Sequence, residues 1–247
     1  MNEYVKNLNR IEFVVTMACT GKCKHCSQGE HKNNENIDKY LAADSLRKIS
    51  EKYNIQSVMT FGGEPLLRAE TVYEIHKTAK MLNIPERQLI TNGFFSNDFF
   101  KIKSVALKLA ECGVNEILLS VDAFHQETIP IKYVKAFAEE VKANGIALKL
   151  HPAWLLSPTA DNIYNNKTRD ILDCFSDFKV SEGNIIFPAG NAVKYLGEYF
   201  DPNKNYDNPY QEDPTDIYAI CFSANGDVLK DNIYKNDIIH ILNNYKP

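Results

Sequence analysis

Three cysteines fall within eight residues, in the run Cys19-Thr20-Gly21-Lys22-Cys23-Lys24-His25-Cys26. Thiolates are soft ligands suited to iron–sulfur clusters and to zinc, and the C-x3-C-x2-C spacing puts them on one short loop. A structural metal site normally closes its shell with a fourth protein ligand, whereas a reactive one leaves a position open. No fourth cysteine lies nearby in the sequence, so a cubane held here keeps one iron free. The alternative is a zinc site completed by His25 or His31. His25 is the weaker of the two, because it lies inside the loop 23–26.

Four more runs carry groups that can meet a ligand. In Phe61-Gly62-Gly63-Glu64-Pro65 the paired glycines let backbone come close to a ligand, and the carboxylate can accept bonds from a cation. Read alone, it is equally a strand-ending turn. Thr91-Asn92-Gly93, Ser120-Val121-Asp122 with His125, and Phe187-Pro188-Ala189-Gly190-Asn191-Ala192 are polar or glycine-containing segments of the same kind. Of the remaining cysteines, Cys112 before Gly113 reads as a small structural hydrophobe.

These segments need strands to position them. Apolar runs at 11–15, 57–61, 88–91, 116–121, 146–150 and 184–187 alternate with helical stretches near 38–53, 69–82, 97–112, 131–143 and 167–175. Such a succession implies an α/β fold with a parallel sheet and right-handed crossovers. The run count falls short of the eight strands of a complete TIM barrel, so a partial, open (β/α)6 TIM-like barrel is expected. The cysteine loop and each of the four runs follow a strand, where α/β proteins place their sites. Beyond residue 199 the character changes. Residues 201–216 read as a surface loop, 217–222 and 227–229 flank the turn signal Ala224-Asn225-Gly226, and a short helix is expected near 237–242. The expected division is a barrel over 1–199 and an extension of loop, hairpin and short helix over 200–247.

The cysteine loop after the first strand, followed by Gly62-Gly63-Glu64-Pro65 after the second, resembles the radical S-adenosylmethionine (SAM) superfamily signature. His25 fills the slot before the third cysteine, which is usually aromatic there. The resemblance implies a [4Fe–4S] cluster on Cys19, Cys23 and Cys26 whose open iron chelates the amino and carboxylate groups of SAM. It implies reductive cleavage of SAM to methionine and a 5′-deoxyadenosyl radical that abstracts hydrogen from a substrate. By the same resemblance Gly62, Gly63, Glu64 and Pro65 hold the methionyl ammonium, and Asn92 stands in the family's TNG segment. Ser120 and Asp122 meet the ribose or the methionyl carboxylate, and His25 joins the SAM-binding set. The run 187–192 is similar to segments of peptide-modifying members in which backbone meets adenine.

Likeness to that branch, the epimerases with SPASM or twitch extensions especially, implies a peptide or protein substrate and an external electron donor. An edge strand of the terminal hairpin is a place for an extended peptide to add. Epimerisation calls for a thiol hydrogen donor, for which Cys221 and Cys174 are the candidates. Such extensions hold auxiliary clusters on several cysteines. Here Cys221 stands alone and Asp231-Asn232 occupy the place of a cysteine-rich stretch, so no auxiliary cluster is expected. Two other readings stay open, a glycyl-radical enzyme activase and a non-catalytic zinc or iron–sulfur binding module.

The 247 residues, 44% apolar and 24% charged, have the composition of a globular chain with a sizeable core. A net charge of −4 argues against a nucleic-acid partner. Residues 1–10 carry no apolar signal core, and no stretch approaches the ~20 apolar residues of a membrane helix. The expectation is a cytoplasmic protein without membrane contact, in which six cysteines are thiols or metal ligands rather than disulfides.

Overall fold

Alternation decides the first strand. In β1 (Arg10–Thr16) the side chains of Ile11, Phe13 and Val15 are fully buried, while Arg10, Glu12 and Val14 point to the other face and stay half-buried. Side chains two apart share a face, so one face is apolar and the other can carry charge. The computed structural model describes residues 2–30, 33–206 and 208–247. His31, the alternative zinc ligand, lies outside the described residues.

After β1 follow α1 (Lys39–Ser50), β2 (Ser57–Gly62), α2 (Ala69–Met81), β3 (Glu86–Thr91), α3 (Phe99–Cys112), β4 (Glu116–Leu119), the one-turn α4 (Ala123–Gln126), α5 (Ile131–Ala143) and β5 (Ala147–Leu150). Then come β6 (Ala153–Leu155), α6 (Ile163–Asp173), β7 (Lys179–Val180), β8 (Asn184–Ile186) and α7 (Asn191–Leu196). The chain closes with β9 (Ala219–Phe222), β10 (Asp227–Val228), β11 (Asp231–Asn232) and α8 (Ile238–Asn244). Asp38, Asp98, Asn162 and Asp237 cap α1, α3, α6 and α8, each side-chain oxygen accepting from backbone N–H groups of the first turn.

Seven strands form one sheet in the order β7-β5-β4-β3-β2-β1-β9, with every neighbouring pair parallel. This is the α/β partial barrel that the pattern of runs implies. Helices α1, α2, α3 and α5 pack side by side in that order, so they cover one face and leave the other as an inner face. One core holds Leu89, Ile117, Leu119 and Phe137, and a second holds Ile11, Phe13, Leu46 and Ile49. No helix among the described residues is long and apolar enough to cross a membrane.

Three expectations are corrected. The run 184–187 does not enter the main sheet as its sixth strand. Lys179 and Val180 take that place beside β5, and β8 pairs with β6 in a separate two-stranded sheet. Pro152 explains the break, since it has no N–H to continue the ladder from β5 into β6. The terminal hairpin does not join 217–222 to 227–229. Instead β9 adds parallel to β1, with Ile220 opposite Ile11 and Phe222 opposite Phe13, and the two rings stack at 4.8 Å. A smaller hairpin follows, β10 with β11, turning through Leu229 and Lys230 at φ of 49° and 66°. Helix α6 starts at Ile163 rather than near 167, because Asn162 accepts from the Asn165 N–H at 2.9 Å. Residues Ile217, Ile220, Phe222, Ile238 and Leu242 share the second core with Val5 and Ile11, so the C-terminal stretch is welded onto the first strand.

Candidate active site

The loop 17–36 between β1 and α1 is closed at its base and clasped from four strand ends. At the base, Met17 N–H donates to the Glu35 carbonyl at 2.9 Å, and the Thr16 hydroxyl donates to the same carbonyl at 3.0 Å. From the end of β2, Gly63 N–H reaches the Thr16 carbonyl at 2.8 Å and Glu64 N–H the Ala18 carbonyl at 2.7 Å. From β3, the Phe94 carbonyl accepts from the Thr20 hydroxyl at 2.6 Å, and Asn92 Nδ2 lies 3.7 Å from Cys19 Sγ. Beyond β4, the Thr128 hydroxyl accepts from Lys22 N–H at 3.1 Å. Beyond β8, Asn191 donates from its backbone to the Cys26 carbonyl at 2.9 Å and from its side chain to the Cys23 carbonyl at 3.0 Å.

This clasp explains the glycines. A Cβ on Gly63 would stand 2.2 Å from the Ala18 carbonyl oxygen, and one on Gly62 2.5 Å from that of Thr16. The close approach that the pair permits is to the cysteine loop's own backbone. Gly190, at φ 54°, repeats the device, since a Cβ there would lie 2.4 Å from the Ser27 carbonyl oxygen.

Cys19, Cys23 and Cys26 are not in disulfides, and they lie near enough for their charges to act on one another. Burial, then the charges of Glu64 and Cys26, pushes the Cys19 thiol up to about 11. Burial also raises Cys26, and burial together with Asp122, Cys19 and Cys26 raises Cys23 well above the ordinary thiol range. Three desolvated thiols whose anions repel one another form a donor set that a metal centre completes, because a bound cation deprotonates its thiols outright.

Glu64 sits at the centre of the clasp and is fully buried. Its Oε1 accepts from Leu66 N–H at 2.9 Å and the Thr91 hydroxyl at 2.7 Å. Its Oε2 accepts from Asn92 N–H at 2.9 Å. Burial outweighs these bonds and pushes the carboxyl up to about 7. Pro65 opens the short 3-10 turn that follows. Asp122 is likewise buried and committed. It caps α4 through Phe124 and His125 N–H groups at 2.9 Å, accepts from Ala153 N–H at 3.0 Å, and pairs with His125 Nδ1 at 2.8 Å. Burial alone would raise it, but the neighbouring His125 and His25 hold it well below the carboxylate range. Ser120 is buried beside Thr91, whose carbonyl accepts its N–H at 2.9 Å.

His25 lies between Phe124, at 5.0 Å, and His125, at 4.8 Å. Burial and the neighbouring imidazole lower it to about 4, and its Nδ1 is enclosed without a hydrogen-bond partner. Cys23, His25 and His125 offer ligand atoms within 4.8 Å of one another, a donor set that differs from the zinc alternative of the cysteine loop with His25 or His31 and takes one thiol of the three. Thr91 and Asn191 stand in runs that the sequence singled out without a role of their own, and His151 stands in none of them. His151, at the end of β5, donates or accepts at the Ser181 hydroxyl at 2.8 Å, and burial lowers it. For His151 the one available signal was its place at the end of β5.

The two remaining candidate thiols lie apart. Cys174 ends α6 on the helical side, exposed, beside Lys135, Glu139 and Lys142 of α5. Cys221 is in register with Glu12 on the inner face, opposite to buried Ile220 and Phe222. It is reached by solvent, yet enclosure on the inner side and the nearby Glu12 push its thiol up to about 12. Along that face runs a polar belt. Arg10 pairs with Glu12 at 2.6 Å and donates to Gln88 at 3.3 Å, Gln88 donates to Glu116 at 2.5 Å, and Lys149 pairs with Glu116 at 2.6 Å. On the outer edge of β9, Glu212 accepts from the N–H groups of Tyr218 and Ala219 at 3.0 and 3.3 Å, which occupies part of the edge that an added strand would need.

Comparison with known proteins bears on the family and the fold. The family model described as the radical SAM superfamily matches residues 13–149, more than half of the chain. A probable GTP 3′,8-cyclase of Methanocaldococcus jannaschii is 27% identical over 129 residues, covering 51% of this chain and 40% of that protein. The chain thus spans about two fifths of the length of the archaeal curated relatives it matches. Among solved structures, Streptococcus suis SuiB bound to precursor peptide SuiA superposes with a TM-score of 0.61 at 12% identity, covering 98% of this chain and 65% of that one. The structure of anSMEcpe with bound AdoMet gives 0.62 at 14% identity, covering 95% and 77%. At these identities the two structures speak for the fold.

Proposed function

This chain belongs to the radical SAM superfamily, a family of enzymes, and on that footing we propose that it abstracts hydrogen from carbon of a peptide or protein seated against the inner face of its sheet. Its cofactors are a [4Fe–4S] cluster and SAM. The observation that carries the reading is the convergence of four strand ends on one loop with three thiols. When bound, the cluster and SAM supply the radical chemistry: an external electron splits SAM into methionine and a 5′-deoxyadenosyl radical.

The chain's own residues hold and orient. Cys19, Cys23 and Cys26 are the cluster ligands, and Asn92 directs its amide toward Cys19. Gly62, Gly63, Glu64 and Pro65 form the strap that receives SAM. Glu64 acts there as a positioning residue, because its carboxylate is saturated by Leu66, Thr91 and Asn92 and fixes the backbone around it. Asp122, with Ser120 beside it, does the same for the start of α4 and for His125. The enclosed, unpartnered Nδ1 of His25 is a hydrogen-bonding group left over for the cofactor. Cys221, on the inner face, is the better placed of the two candidate hydrogen donors.

Two things support a peptide. The fold neighbour SuiB has been solved bound to a precursor peptide, and the inner-face belt is balanced, each cation holding a carboxylate. The curated relatives are GTP 3′,8-cyclases, which makes GTP the second reading. A triphosphate calls for clustered, unpaired cations, whereas Arg10 is engaged by Glu12 and Lys149 by Glu116. The test is isotopic. Reconstituted enzyme with SAM, reductant and either perdeuterated candidate peptides or deuterated GTP is expected to move deuterium into 5′-deoxyadenosine from peptide alone. Transfer from GTP alone would overturn the peptide reading.

A further inference from the structure

The rim where α3 and α5 begin carries an aromatic patch that the site does not use. Phe100 is 87% exposed, Phe99 54%, and Leu107, further along α3, 49%. Contiguous apolar surface of this kind marks interaction sites. Helix α5 packs beside α3 and adds Tyr133, whose ring lies 5.4 Å from Phe99 and is stacked at 5.4 Å on Phe94.

Lysines outnumber carboxylates around the patch. Within 98–103 and 130–133 stand Lys101, Lys103 and Lys132, all exposed, against the single carboxylate of Asp98. That carboxylate is engaged in capping Phe100 N–H at 2.9 Å, and Lys132 Nζ sits 4.7 Å from the Tyr133 ring centre. Neither helix has an acidic residue in its first turn, although the positive end of a helix favours one. Two helix N-termini and three lysines therefore coincide on a chain whose net charge is −4.

The patch is continuous with the cysteine loop. Phe94 accepts from the Thr20 hydroxyl at 2.6 Å and donates its N–H to Asn92 at 2.8 Å, and Asn92 reaches Cys19 Sγ at 3.7 Å. We propose that this rim docks a small acidic one-electron carrier protein, placing it against the segment that holds Cys19. The carrier is oxidised by one electron as the cluster is reduced by one. The proposal rests on the radical SAM reading. Acidic surface opposite the lysines supplies steering and orientation, and the exposed rings supply the buried anchor.

The test uses the reconstituted full chain with two probes, a flavodoxin and a ferredoxin, both acidic. Binding is measured by surface plasmon resonance, and cluster reduction by electron paramagnetic resonance. At least one probe should bind wild type, with affinity falling as salt rises. Phe100→Asp and the double variant Lys103→Glu/Lys132→Glu should each weaken binding about tenfold or more. Dithionite should reduce the cluster equally in all three proteins. Unchanged binding in the variants, no binding of either carrier to wild type, or a parallel loss of reduction by dithionite would overturn the docking surface. A wild-type protein lacking a reducible four-iron signal would instead sink the underlying reading, and iron analysis separates the two failures.

Discussion

At the scale of single residues the site is organised by carboxylates turned inward. Glu64 and Asp122 are both fully buried, but their partners differ. Glu64 has only neutral donors, and burial pushes it up to about 7, whereas Asp122 has His125 at 2.8 Å and is held low. Linkage gives the sign for Glu64 in the cluster-free protein. Its folded value lies above the ordinary 4.5, so the folded state keeps a proton that the unfolded state releases. The stability this contributes is complete below pH 4.5 and is lost as pH rises through 7. The change amounts to about 3 kcal/mol. Chemical denaturation at pH 5 and pH 8 should register that loss in wild type and not in Glu64→Gln; equal losses would place the titration elsewhere. Gly63→Ala tests the clasp, since its Cβ would meet the Ala18 carbonyl at 2.2 Å. We expect a cost of about 3 kcal/mol or more and iron binding below wild-type stoichiometry, while full iron binding at wild-type stability would mean the strap yields. The cysteine triplet was legible because spacing along a loop is a property of sequence. The inward saturation of Glu64 was not, because its donors Thr91 and Asn92 come from the end of another strand.

At the scale of elements, alternating runs announced most strands and the helical stretches between them. What stayed hidden depended on distant partners. Strand β9 pairs with β1, some two hundred positions away (Ala219 opposite Arg10), so its alternation is satisfied by a neighbour that no local turn signal reveals. Asn225-Gly226 suggested a hairpin and serves instead as a turn, with Gly226 N–H on the Ser223 carbonyl at 2.8 Å. The tight hairpin runs through Leu229 and Lys230, two residues with side chains in the left-handed region. Replacing them by Asn-Gly supplies the residues that such a turn favours, and thermal unfolding should show a gain of about 1 kcal/mol. A loss would mean that Leu229, which packs on the second core, contributes more than the turn strain costs.

At the scale of the whole molecule, one side of the sheet is sealed by helices, and the strand ends converge on the cysteine loop. The inner face carries charge in balanced pairs, and the rim beside the loop carries lysines and exposed rings. The order of motifs made the first part legible. The belt of Arg10, Gln88, Glu116 and Lys149 was not, because its members are single polar residues on four different strands that meet only in register. Nor was the rim, whose two helix starts are about thirty residues apart. The central claim is that Cys19, Cys23 and Cys26 hold a cluster that cleaves SAM. The most direct measurement is anaerobic reconstitution of wild type and the Cys19→Ala/Cys23→Ala/Cys26→Ala variant, with iron and sulfide assayed. SAM and dithionite follow, with 5′-deoxyadenosine read by chromatography. The account predicts a four-iron cluster and nucleoside in wild type, and neither in the variant. Iron retained by the variant at wild-type stoichiometry, or no nucleoside from a wild-type cluster that dithionite reduces even with the substrate present, would contradict it.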